Sequence, residues 1–346
     1  MLRRLTRLLG ADGPEVPGIT PSEAGEPAPR EVSIGEAPSF PLARHLTLHR
    51  GFPILDWKAV DAWVGSHGND AWQSEAWAAC QRAWLLHFRD ALGTDFRLVD
   101  SPFSIVVASL DERGLRRALS TIDRSLRKIL GLLDGVAELR SHGKNVLIVF
   151  DDDQRYYEYV SHYYPESGEF AFSGGMHIHA GHSHLVTRKR EIHYTERTIA
   201  HEMTHACLAH LPLPSWLDEG LAVNTEIPLV GARALPFPPR ELRAKHHAFW
   251  GEPEIQEFWT GRSFHRPDDG QALSYDLARI MVSQLAQDWP RFQSFVLAAQ
   301  RDDAGYAAAT EHLGIDLGEY VCFLLEQAAC PGWAPRSPGD GAVGSP

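Results

Sequence analysis

The stretch from Thr198 to Glu226, TIAHEMTHACLAHLPLPSWLDEGLAVNTE, constrains the fold more tightly than any other part of the chain. Ile199, Met203 and Cys207 recur at helical spacing, and Pro212 and Pro214 stop that helix and force a tight turn. Thr195 can cap the first helix with Glu196 in its first turn, and Ser215 with Asp218 reads as a capping box for a second. The expectation is two helices joined by a short loop. On the first, His201 and His205 differ by about 40° in direction and can face one point, while Glu202 lies about 100° round from His201. Glu219 follows His205 by fourteen residues, in the first turn of the second helix.

Two imidazoles and a carboxylate are the donor set of a catalytic zinc site, in which three protein ligands leave a position for water. One Zn2+ held by His201, His205 and Glu219 is the expectation. Glu202, kept off the metal but within reach of its water, is placed to act as general base. Glu226 lies two turns beyond Glu219 on nearly the same face and is the alternative third ligand. His210 points about 180° away from His201 and is not a ligand; His193 flanks the helix at its other end.

The motif pair resembles the gluzincin metallopeptidases, which use His-Glu-x-x-His plus a downstream Glu. Trp216-Leu217-Asp218-Glu219-Gly220-Leu221-Ala222 (WLDEGLA) is similar to the Trp-Leu-Asn-Glu-Gly-Phe-Ala signature of aminopeptidase N-type enzymes. The gap from His205 to Glu219 is shorter than in thermolysin or aminopeptidase N and resembles the compact bacterial peptidase MA-like domains. The specific match covers Thr198 to Glu226, and a looser one, residues 96–328. The resemblance implies zinc-dependent hydrolysis of a peptide or protein substrate, with Tyr275 as donor to the tetrahedral oxyanion; a packed tyrosine at a helix start is the other reading. Thermolysin-like enzymes place an Asp four residues after the third ligand to orient a ligand histidine, and here that position is Val223. Asp218, Asn224 and Glu226 are the candidates for that task. Two other functions are compatible with the motif: a metal-stabilised interaction module without catalysis, against which Glu202 counts, and a hydrolase of a non-peptide amide.

The remaining chain reads as α+β: a small mixed sheet with an exposed edge strand beside the His-Glu-x-x-His helix, then a mainly helical C-terminal part. Residues 1–44 read as a flexible leader, 45–95 as a helical region, 96–330 as a zincin-like metallopeptidase domain and 331–346 as a flexible tail. Trp57 to Leu92 is helical, with five tryptophans that read as packing rather than a stacking platform. Strands are expected at Phe96–Val99, Phe103–Leu110, Asn145–Phe150, Phe170–Phe172 and Met176–Val186, and helices at 111–133, 154–164, 272–289, 290–301, 305–312 and 317–328. The Met176–Val186 strand, available to pair with an extended peptide, carries His177, His179, His182 and His184. It reads as an exposed polar strand; a second metal site and a substrate-facing role are the alternatives. Arg188-Lys189-Arg190 reads as a solvated strand end.

A net charge of −12 argues against a nucleic-acid partner, which needs a concentrated basic face. No run approaches the ~18–20 apolar residues of a membrane helix, so no membrane partner is expected. Cys80, Cys207, Cys322 and Cys330 show no Cys-x-x-Cys spacing and read as thiols of a cytoplasmic protein.

Overall fold

The computed structural model describes residues 20–21, 26–139, 143–164, 175–178, 181–192, 195–231, 237–327 and 330–336. In chain order the elements are β1 (Thr20–Pro21), β2 (Leu46–His49), β3 (Phe52–Leu55), α1 (Trp57–Gly65), α2 (Asp70–Leu92), β4 (Arg97–Asp100), β5 (Ser104–Ala108), α3 (Glu112–Leu132), β6 (Asn145–Phe150), α4 (Asp153–Tyr163), β7 (Gly175–Ile178) and β8 (His184–Arg188). Helices follow: α5 (Thr195–Leu208), α6 (Ser215–Val230), α7 (Pro239–Phe249), α8 (Glu252–Trp259), α9 (Gly270–Leu285), α10 (Trp289–Ala298), α11 (Tyr306–Ala308) and α12 (Leu317–Leu324). The chain is α+β, with its sheets before residue 189 and helices after it. Of the described residues, those within 12–127 and 139–199 form one compact unit, and those within 128–138 and from 200 onward form the other. Among the described residues no helix is long and apolar enough to cross a membrane.

The first unit is built on a six-stranded sheet of order β1-β4-β5-β6-β8-β7. β5, β6 and β8 run parallel, while β4 and β7 are antiparallel to their neighbours. Interior parallel strands are covered on both faces, which is why SIVVA and NVLIVF are almost continuously apolar and buried. Trp84, Phe88, Phe52, Phe150 and Tyr159 interlock in edge-on and stacked contacts at its core. The helical stretch expected from Trp57 to Leu92 is made of two helices, separated where Asn69 accepts a hydrogen bond from the Trp72 N–H and caps α2.

Four expectations for this unit are corrected. The Met176–Val186 strand is two antiparallel strands, with His177 opposite Leu185, because Gly181 turns the chain at φ +70°. A Cβ there would meet the Trp57 ring at 2.7 Å. Its described histidines, His177, His182 and His184, are buried, not exposed. His182 lies against Trp57 and Trp84 and contacts the Gln81 amide at 2.5 Å, while His184 contacts the Tyr159 hydroxyl at 2.8 Å. They belong to the aromatic core rather than to a second metal site. Arg188 is likewise buried, donating to the Tyr157 hydroxyl and to Glu191 over the Tyr156 ring. Part of the expected leader is also packed, for Val32, Phe40 and Leu42 are buried in the same core. The Phe170–Phe172 strand, His179, His193, most of the leader and the end of the tail lie outside the described residues.

The second unit centres on α6 and α9. Gly220 lets them approach: a Cβ on it would sit 2.6 Å from Val282 Cγ2 and 2.7 Å from the Ala278 carbonyl oxygen. Gly220→Ala is therefore expected to cost about 1–3 kcal/mol through overpacking against backbone, measured by denaturant unfolding; an unchanged midpoint would rule out this close packing. Trp216 anchors the start of α6, with its ring against Phe258, Trp259 and Phe295 and its indole N–H donating to the Ala304 carbonyl.

The expected tail is partly packed too. Trp333 is buried, and its carbonyl accepts from the Trp259 indole. Cys322 and Cys330 form a disulfide, so only Cys80 and Cys207 are free thiols, both buried. The eight-residue spacing of that pair matches no short motif. With it, cysteine usage no longer argues for a reducing compartment.

Candidate metal centre

α5 and α6 deliver their side chains to one point. His201 and His205 lie one turn apart on α5, their Nε2 atoms 3.1 Å from each other. Glu219 Oε2 from α6 sits 3.2 Å from the first and 3.6 Å from the second. These three residues form the one group of histidine, cysteine or acidic side chains among the described residues that could hold a metal ion.

The far edges of both rings face carboxylates. Glu226 Oε1 lies 2.8 Å from His201 Nδ1, and Asp218 Oδ1 lies 2.9 Å from His205 Nδ1. An ionised carboxylate accepts and cannot donate, so His201 donates its Nδ1–H to Glu226, and as the neutral imidazole it has its lone pair on Nε2. Two imidazole nitrogens and a carboxylate oxygen then face each other across about 3 Å. Glu219 Oε2 is buried without a hydrogen-bond partner. That convergence calls for positive charge, whether protons on the imidazoles or a metal ion, and two imidazoles with one carboxylate are a donor set that fits zinc.

The electrostatics point the same way. Burial opposes charge on His201, yet its contacts with Glu219 and Glu226 outweigh burial and push it up to about 9. His205, also opposed by burial, is raised well above its usual range by Asp218 and Glu219. Burial would raise Glu219, but the two imidazoles hold it at about 2. The pocket therefore demands positive charge.

Of the three candidates for holding a histidine, Glu226 makes a hydrogen bond to His201 from behind the cluster, and Asp218 lies close to His205 without hydrogen-bond geometry. Asn224 is occupied elsewhere, donating to the carbonyls of Gly220 and Arg279 between α6 and α9. Asp218 does not cap α6: Pro214 is the N-cap and Ser215 lies inside the first turn. Thr195 is the first residue of α5 rather than its cap. Removing a carboxylate that orients a ligand histidine costs about 10–100-fold in metal affinity. Glu226→Gln is expected to weaken zinc binding by that factor, read by competition with a chelating dye.

Glu202 is half-buried beside His201. Tyr275, in the first turns of α9, has its ring 6.5 Å from the His201 ring and edge-on to Phe264 at 5.1 Å. His210 lies outside the cluster, facing Glu138 at 3.8 Å. The loop between α5 and α6 is fixed by Arg301, whose Nε donates to the Leu213 carbonyl. The centre is read from these residues alone, because no family model, curated protein or solved structure matches the chain.

Proposed function

We infer that the chain is a zinc-dependent hydrolase of peptide bonds, of the gluzincin type its motifs resemble. The observation that supports this most is the convergence of His201 Nε2, His205 Nε2 and Glu219 Oε2, with Glu226 hydrogen-bonded to His201 Nδ1 and Asp218 close to His205 Nδ1. A Zn2+ held by those three atoms would supply a Lewis acid for the scissile carbonyl and would lower the pKa of water to about 7.

The chain's own groups move the protons. Glu202, turned about 100° from His201 on α5, takes a proton from the attacking water. As the water oxygen bonds to the carbonyl carbon, the C–N bond breaks and Glu202 passes that proton to the leaving nitrogen. The Tyr275 hydroxyl donates to the oxyanion formed on the way. Glu226 keeps the His201 imidazole in the Nδ1–H tautomer, and Asp218 is placed to do the same for His205. A non-catalytic module would need no carboxylate at position 202, whereas a hydrolase of another amide would use the same groups. The Cys322–Cys330 bond favours an oxidising compartment over the cytoplasm expected from spacing.

Incubating the zinc-loaded full chain with a peptide library and a panel of non-peptide amides tests this reading. The expected result is peptide cleavage that a chelator stops and zinc restores. Stoichiometric zinc with no cleavage of any peptide would overturn it in favour of the interaction module.

A further inference from the structure

Helix α3 carries a feature that the metal centre does not use. Arg113, Arg116, Arg117, Arg124 and Arg127 are all exposed on it and fall within about 100° of its circumference. At 1.5 Å per residue they form a straight stripe about 21 Å long. Among the described residues its acidic partner is Glu112, 2.7 Å from Arg116. Asp123, on the same helix, is buried. The other four arginines make no ion pair with a described residue.

The stripe works against its own helix. Arg113 and Arg116 lie near the positive end of the helix dipole, where cations are disfavoured. Arg113 and Arg117 are like charges at i,i+4, and Arg113/Arg116 and Arg124/Arg127 are neighbours at i,i+3. A face made only to be solvated interleaves both signs. A single-sign row kept at the helix's expense fits a polyanion.

We propose that this stripe docks the phosphodiester backbone of a nucleic-acid duplex without reading its sequence. A net charge of −12 averages over the chain and conceals this local row. A duplex carries about one negative charge per 1.7 Å of axis, so about a dozen phosphates lie along the stripe's length. Arginine forks match phosphate oxygens in pairs. Ser120 and Thr121 between the arginine clusters are short and leave room for a rod to approach. A bilayer fits less well. An interfacial helix needs exposed apolar side chains, and Leu115, Leu119, Ile122 and Leu126 of α3 are buried.

The test is binding of the full chain to a labelled 24-base-pair DNA duplex across a salt series. Five phosphate contacts predict a log–log slope of about −4.5, which is about 500-fold weaker binding at 200 mM than at 50 mM salt. Reversing Arg117→Glu and Arg124→Glu is expected to weaken binding by about 100-fold and reduce the slope by about 2, while Arg117→Lys with Arg124→Lys keeps the slope. Arg240→Glu with Arg243→Glu on α7 is expected to leave binding unchanged. Absence of duplex binding at 50 mM salt would overturn the proposal, as would equal loss from the α7 reversals or loss of the slope in the lysine variant. Tighter binding to phosphatidylserine vesicles or to polyglutamate than to the duplex would also overturn it.

Discussion

Replacing Glu202 with Gln is expected to leave one zinc per chain and lower peptide hydrolysis by about 10²–10⁴-fold, the contribution of a positioned general base. The substitution keeps the size and hydrogen-bonding capacity of the side chain and removes only its ability to take a proton. Glu202 is not among the three converging residues, so metal content should not change. Zinc content and turnover are therefore expected to separate. A variant that keeps zinc and keeps turnover would remove Glu202 from the mechanism; one that loses both would make it a ligand or a fold determinant.

The second large effect is expected at the ligands. His205→Ala removes a nitrogen that faces the centre and leaves Asp218 without the imidazole beside it. Glu219→Ala removes the buried oxygen that faces both Nε2 atoms. Either change is expected to abolish stoichiometric zinc and all hydrolysis. Stability should follow the metal: at free zinc 1,000 times its dissociation constant, binding contributes about 4 kcal/mol. For a unit of this size that is a shift in melting midpoint of about 8–16 °C, lost on adding a chelator and already lost in both variants. Equal midpoints for wild type with and without chelator would contradict a metal that couples α5 to α6.

The local parts of the site were legible because they depend on short spacings. His201 and His205 share a face by helix geometry alone, and Pro212 and Pro214 force the turn that brings Glu219 back. The orienting pairs were narrowed to Asp218, Asn224 and Glu226 but not assigned, since which carboxylate meets which ring depends on how α5 and α6 cross. α7 and α8 were missed for a different reason. The stretch carries Pro238, Pro239 and Pro253, yet proline is well tolerated in a helix's first turn, where Pro239 and Pro253 stand. The histidines of β7 and β8 misled in the opposite sense. Their polar letters suggested an exposed strand, but Trp57, Trp77, Trp84 and Tyr159, distant in sequence, supply the rings that cover them. Gly220 was visible only as part of a motif, and its role needs Val282 and Ala278 from another helix to be seen.

The central claim is the metal centre, and X-ray absorption at the zinc edge of the purified full chain tests it most directly. The account predicts one zinc per chain, with two nitrogen neighbours at about 2.0–2.1 Å and carboxylate oxygen at about 2.0–2.2 Å. A chain that binds no zinc, or a zinc with sulfur neighbours at about 2.3 Å, would contradict a centre built from His201, His205 and Glu219.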